Sequence, residues 1–238
     1  MVDMKEKRTE RIEKHIQSRF YKFLRGLIIF FTKPMKTVWE EPFAGKPAVF
    51  VCNHDRAFGP IAMNAHFELS KDIRPWINAQ VLSPKAAPAY IRRDYWWDLN
   101  KWYSPIFSYT VAYIYALILP LILHGSDCVP VYHDTGVMST LRNSIKMLQD
   151  GKHLLLFPEH PTGYGKYGEK IFDGFLSVGK LYYARKRESV YFYPTYVDWK
   201  RKIIRVGKPI LYDPAVKYEE QVVLATAAIQ EFFARHGE

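Results

Sequence analysis

The chain has 238 residues, 48% apolar and 24% charged, which excludes a disordered or fibrous polymer and leaves one large or two small domains with a substantial core. Two cysteines, Cys52 and Cys128, exclude a disulfide framework; both sit in apolar runs and read as small core residues in a reducing compartment. A formal charge of +10 points to an anionic partner: a membrane surface, a phosphorylated substrate or nucleic acid.

Much of that charge lies at the front. Between Lys5 and Lys36 there are ten Lys or Arg against three Glu, interleaved with aromatic and aliphatic residues. Ile12, Ile16, Phe20, Phe23 and Leu27 recur at helical spacing, so residues 1–36 read as a basic amphipathic helix facing an anionic membrane, the alternative being a helix docked on its own domain. It does not read as a signal peptide: the apolar run after Arg25 is short, no small-residue cleavage site follows, and Lys33-Pro34 ends it. No nucleic-acid motif accompanies the charge, and none is expected as a partner.

Residues 37–238 read as one α/β domain, a central mixed sheet flanked by helices. A short strand is predicted near Thr37–Trp39. Ala48–Cys52 is a continuous apolar run of the kind a buried strand needs, and Asn53 and His54 follow at its carboxyl end. Polar groups at such strand ends are where an open α/β sheet presents its chemistry, and a histidine there suits a general base. Gly59-Pro60 opens a helix predicted to run to about Leu69, and Pro75–Ala79 reads as another strand. Arg92 and Arg93, beside Trp96, Trp97 and Trp102, suit a phosphate clamp, a membrane interface or a solvated turn.

Tyr103–Leu123 carries no charge, yet Pro105 and Pro120 leave only about 15 uninterrupted residues, roughly 22 Å of helix against a hydrocarbon core of about 30 Å. A single crossing there would also separate His54 from Glu159. The segment is therefore read as buried, in plane or re-entrant, its four tyrosines suiting an interfacial or tunnel-lining helix. Cys128–Tyr132 is predicted as a strand, Gly136–Gln149 as a helix and Leu154–Phe157 as a strand ending in Pro158-Glu159-His160. The Gly-rich loop from Pro161 carries Lys166 and Lys170, whose ammonium groups and neighbouring amides suit a phosphate. A helix over Gly174–Arg187, a hairpin of Val190–Val197 with Lys202–Val206, and a last helix over Glu219–Arg235 complete the chain.

Four blocks in this order carry a resemblance. Asn53-His54 with Gly59-Pro60 resembles the first motif of the glycerolipid (lysophospholipid) acyltransferase superfamily, in which Asn-His is followed after four residues by Asp-Pro. Val129-Pro130-Val131-Tyr132 is similar to its second block, Phe157-Pro158-Glu159 to the start of its Phe-Pro-Glu-Gly motif, and Tyr193-Pro194-Thr195 to its late proline-bearing strand. Two departures stand out: Gly59 occupies the aspartate position, and His160 the glycine position of the third motif.

The resemblance implies transfer of a fatty acyl group from acyl-CoA or acyl carrier protein to a glycerolipid hydroxyl such as that of lysophosphatidic acid, at the cytoplasmic face of a membrane. The thioester is a co-substrate, and no metal or other cofactor is expected. Carried over by position, His54 is the base, Asn53 its structural neighbour, and Phe157, Pro158 and Glu159 the acceptor-aligning block. The family's phosphate-binding arginine has no counterpart, so Lys166, Lys170 or His133 is assigned that contact. Asp55 is the nearest carboxylate that can orient His54 in place of the missing aspartate, and Gly59→Asp reads as restoring the family pattern. Two other readings remain. One is a non-catalytic lipid-binding relative. The other is a metal-dependent phosphoesterase built on the pairs His54-Asp55, His133-Asp134 and Glu159-His160, none of which has a recognised ligand spacing.

Overall fold

The computed structural model describes residues 18–55, 58–93, 100–133, 136–159 and 171–237. Eight strands form one mixed sheet: β1 (Lys36–Trp39), β2 (Ala48–Cys52), β3 (Ile73–Asn78), β4 (Val129–Val131), β5 (His153–Leu156), β6 (Tyr191–Asp198), β7 (Ile203–Val206) and β8 (Ile210–Leu211). The helices are α1 (18–31), α2 (Phe58–Ala65), α3 (Ala87–Arg93), α4 (Ser104–Tyr109), α5 (Val111–Gly125), α6 (Val137–Gln149), α7 (Ser177–Lys186) and α8 (Tyr218–His236). Strand order is β1-β7-β6-β2-β5-β3-β4, with β8 also paired to β6. Only β7 and β8 run antiparallel to a neighbour, β6; every other pairing is parallel.

The burial of β2 follows from this order. It lies between β6 and β5, both of its faces are covered, and all five of its residues are buried. A central parallel strand therefore reads as an unbroken apolar run rather than an alternating one. On one face Val49, Val51, Leu154, Leu156 and Phe192 pack with Ile145 and Leu148 of α6, Val178 of α7 and Ile229 and Phe232 of α8. On the other, Ala48, Phe50, Cys52, Leu155 and Tyr193 pack with Ala62 and Met63 of α2 and with Phe67. His153 is a polar member of this interior: its Nδ1 accepts from the Ala48 N–H at 3.2 Å, and burial lowers its pKa.

These two faces locate the crevice. The chain leaves β2 towards α2 on one face and leaves β5 towards α7 on the other, although β2 and β5 are neighbours. Adjacent parallel strands whose connections depart to opposite faces leave a gap at their carboxyl ends, which is where ligands bind in open α/β sheets. His54 and Glu159 follow those two strand ends.

Several boundaries differ from the sequence reading. α2 starts at Phe58 rather than Pro60 and stops at Ala65 rather than Leu69. Its end is fixed from outside: the Arg25 side chain of α1 donates to the Asn64 carbonyl at 2.7 Å, the Ala65 carbonyl at 3.3 Å and Ser70 Oγ at 2.9 Å, satisfying acceptors that a helix end leaves open. Pro120 does not interrupt α5, which continues to Gly125 with Pro120 on its buried side. α3 and the two-residue β8 have no counterpart in the sequence reading.

α1 docks through Tyr21 and Arg25, bonded to Asn64 and the end of α2, and the Thr32 that follows it bonds His66. The aromatic stripe read from the sequence points the other way: Phe20, Phe23 and Leu27 are exposed, and Phe30 and Phe31 are 80% and 78% exposed. α4 and α5 behave alike. Ala112 and Ala116 pack on Ala87 and Ile91 of α3, small residues that let the backbones approach, while Ile106, Tyr109, Ile114 and Leu117 lie exposed. Of the placements read from the sequence, buried, in plane or re-entrant, the buried one is thereby corrected. Ser104–Gly125 is long and apolar enough to cross a membrane by length and composition.

Candidate functional site

The site forms where β2, β5 and β6 end together. β2 pairs with β6 through Cys52 and Thr195, and the Asn53 N–H continues that ladder to the Thr195 carbonyl at 3.2 Å. The Asn53 side chain then takes over as a further rung. Its Oδ1 accepts from the Val197 N–H at 2.6 Å, and its Nδ2 donates to the Val197 carbonyl at 3.3 Å. A carboxamide supplies one donor and one acceptor on one plane, as a peptide group does. Asn53 is buried, and this pairing accounts for it without any contact to a substrate.

The next peptide reaches across to β5. The His54 N–H donates to Glu159 Oε2 at 2.8 Å, and the His54 ring lies 5.1 Å from the Phe157 ring at 65°. The first and third sequence motifs, 105 residues apart, are thus in direct contact. Glu159 is held on its other side too: it forms a bridge with Ile171, and the Pro158 carbonyl accepts from the Phe172 N–H at 2.7 Å. The chain leaves the sheet at Glu159 and is again beside it at Ile171. Lys166, Lys170 and His160 themselves lie outside the described residues, as do Asp134, Trp96 and Trp97.

Glu159 is the electrostatic centre. Burial pushes its carboxyl up to about 7, the His54 N–H bond opposes that rise, and the Asp55 charge adds to it. A carboxyl with a pKa near neutrality in a crevice has the property expected of a functional group. Asp55 sits in the left-handed region with φ 37°, a conformation that costs a non-glycine residue about 1–2 kcal/mol and collects at functional sites. Tyr196 of β6, which the sequence reading did not single out, feels Asp55, Asp198 and Glu159; burial first and these charges next hold its phenol protonated. Cys52 is kept as a neutral thiol by burial and then by the Glu159 and Asp55 charges, and burial pushes Cys128 up to about 12; neither has the character of a nucleophile.

The start of α2 carries an aromatic contact. Phe58 stacks on Trp199 at 5.0 Å and 18°, and Lys202 Nζ lies 3.6 Å from the Trp199 ring centroid. His133 stands apart from this cluster. It lies two residues beyond β4, a strand two places from β5 or about 10 Å across the sheet, and its Nε2 is 3.2 Å from Asn78 Nδ2. Arg92 is likewise engaged elsewhere, over the Tyr109 and Tyr113 rings of α4 and α5. Among the described residues no three His, Cys, Asp or Glu side chains gather into a metal-holding group.

No protein-family model, curated protein or solved structure matches this chain. Function is therefore read from the site's own chemistry and from the motif resemblance.

Gly59 gives that resemblance its sharpest test. The Gly59 N–H donates to the His54 carbonyl at 3.1 Å, placing the first turn of α2 directly against the motif backbone. A Cβ at this position would lie 2.4 Å from the His54 oxygen and 2.6 Å from the Asn53 oxygen. An aspartate cannot enter without moving that backbone, so Gly59→Asp is not the simple restoration that the sequence suggests.

Proposed function

We propose that this protein is a membrane-associated acyltransferase that moves a fatty acyl group from acyl-CoA or acyl carrier protein to a glycerolipid hydroxyl. The observation that carries this reading is the 2.8 Å bond from the His54 N–H to Glu159 at the strand ends where the sheet's connections diverge. It joins the two motifs that the reaction needs in one place. In this reading Glu159 Oε2 is taken by the His54 amide, and Oε1 receives the acceptor hydroxyl. The His54 ring removes the hydroxyl proton as the oxygen attacks the thioester carbonyl, the C–S bond breaks, and the thiol departs with a proton. Proximity and base catalysis supply the rate enhancement, with no acyl-enzyme required. Asp55 is the carboxylate nearest in sequence to hold the imidazolium that forms, and its left-handed backbone supports a position shaped for a purpose other than stability.

The reading is tested by incubating the full chain with acyl-CoA and acyl-ACP donors against lysophospholipid and glycerol-phosphate acceptors, with products read by mass spectrometry. Acylated acceptor and free thiol in equal amounts are expected. Intact donor with every acceptor eliminates the reading and leaves a lipid-binding protein.

Membrane association is supported by the outward face of α1. Phe20, Phe23, Leu27, Phe30 and Phe31 are exposed on a helix that also carries exposed Arg19 and Lys22 and leads to Lys33 and Lys36. Aromatic insertion with basic side chains at headgroup level is the pattern of a helix lying in an anionic interface. The point variant Phe30→Asp/Phe31→Asp leaves the Arg25 cap on α2 intact and is cleaner than truncation. It is expected to weaken co-sedimentation with phosphatidylglycerol vesicles at least about tenfold, since two large apolar side chains lose their burial. Undiminished vesicle binding would remove α1 from the membrane contact.

A further inference from the structure

We infer that Gly59 is a positioning residue: its missing side chain lets the first turn of α2 close on the Asn53 and His54 carbonyls and so holds the His54 peptide N–H on the Glu159 carboxylate. The inference rests on the acyl-transfer reading for its kinetic consequence, but its geometry stands on its own. Three contacts define it. The Gly59 N–H donates to the His54 carbonyl at 3.1 Å, and the Phe58 N–H donates to the Asp55 carbonyl at 3.0 Å. The His54 N–H donates to Glu159 Oε2 at 2.8 Å. His54 is therefore clamped through both of its flanking peptide groups, its carbonyl by α2 and its N–H, shared with the Asn53 carbonyl group, by Glu159 beyond the end of β5.

The clearance shows that the clamp depends on glycine. A Cβ would stand 2.4 Å from the His54 oxygen, 2.6 Å from the Asn53 oxygen and 2.9 Å from the His54 carbonyl carbon. All three are backbone atoms, unable to swing aside as a flexible side chain does. Asn53 cannot yield independently either, because its carboxamide is bonded on both sides to the Val197 peptide. Any side chain at 59 must therefore push α2 outwards or turn the Asn53–His54 peptide, whose oxygen it meets at 2.6 Å, and that turn withdraws the His54 N–H from Glu159. In the pattern that this loop resembles, a carboxylate at this position orients the histidine side chain. Here the same position orients the histidine backbone instead. The imidazole must then take its partner from elsewhere, whereas the loop's place against Glu159 is set by packing.

The test is Gly59→Ala in the full chain, read first by NMR and then by kinetics. In the wild type the His54 amide proton is expected far downfield and moving with pH as Glu159 ionises. In Gly59→Ala it should shift upfield and lose that pH dependence. With acyl-thioester turnover as the second readout, kcat should fall roughly 10²-fold, as for displacement of a catalytic group by about 1 Å, with KM for the thioester little changed. The same substitution in a Glu159→Gln background, where a buried charge is gone, must still move the His54 amide resonance. Its kinetic effect must be smaller there than in the wild type, because both changes act on one contact. An unmoved His54 amide, additive kinetic effects, or loss of folding in both backgrounds overturns the inference, the last by making Gly59 a residue of the fold at large. If the resonances move as described while the wild type turns over no thioester, the positioning role stands and the acyl-transfer reading falls.

Discussion

His54→Ala is expected to lower acyl transfer by roughly 10²–10⁴-fold, the usual span for removing a general base, while the folded protein keeps its thermal midpoint. The residue follows the last rung of β2, and its backbone contacts, the N–H to Glu159 and the carbonyl to Gly59, are ones alanine also supplies. What alanine removes is the ring beside Phe157, the only part that can accept the acceptor's proton. Asp55→Asn separates the roles further. If Asp55 holds the imidazolium, its loss should approach that of His54→Ala, as it does where a carboxylate fixes the tautomer of a catalytic histidine. A mild effect would send the search to Tyr196 or to another strand end. Equal turnover by wild type and His54→Ala, with matched melting curves, would place the base elsewhere.

The parts of this fold legible in the sequence are those in which burial writes a continuous signal. β2 and β5 are covered on both faces, so Ala48–Cys52 and Leu154–Leu156 are unbroken apolar runs, and the sequence places both strands within a residue. The β6–β7 hairpin was legible because polar Asp198-Trp199-Lys200-Arg201 separates two β-branched and aromatic runs. α8 was legible from its length. β8 was not, since two residues beyond the Gly207-Lys208-Pro209 break are too few to show a period. α3 was hidden because Ala87-Pro88-Ala89 carries no amphipathic pattern, its partners on α5 being equally small alanines.

The site divides the same way. His54 and Glu159 were found because their residue types and order are chemical signals in themselves. The roles of Asn53 and Gly59 are backbone events, one a side chain standing in for a peptide and the other an absent side chain, and neither leaves a pattern in a single sequence. For α1 the periodicity revealed a stripe but not its direction. That depends on Arg25 finding the carbonyls that end α2, a contact 39 residues away in sequence.

Glu159→Gln is expected to make the protein more stable at pH 8 and less active, the two effects having one origin. Glutamine keeps an oxygen for the His54 N–H and removes a charge that is costly to bury. The direction in pH follows from the shift. Burial raises the folded-state pKa from 4.5 to about 7, so between these values the native protein holds a proton that the unfolded chain has released. The protonated carboxyl therefore favours the fold fully below pH 4.5, and that contribution is lost as pH rises through 7. The full shift corresponds to about 3 kcal/mol, so the variant should gain about 1–3 kcal/mol at pH 8 and nothing at pH 4. Urea unfolding at the two pH values measures the difference directly. Activity should move the opposite way, with transfer falling and the acceptor's KM rising while thioester affinity holds, because Oε1 can no longer draw the acceptor hydroxyl as a charged group does. A residue that only held β5 to β2 would still give the pH-dependent gain, which follows from burial of the charge, but would leave catalysis intact. A pH-dependent gain in stability joined to a loss of acceptor use is what a carboxylate strained for function produces.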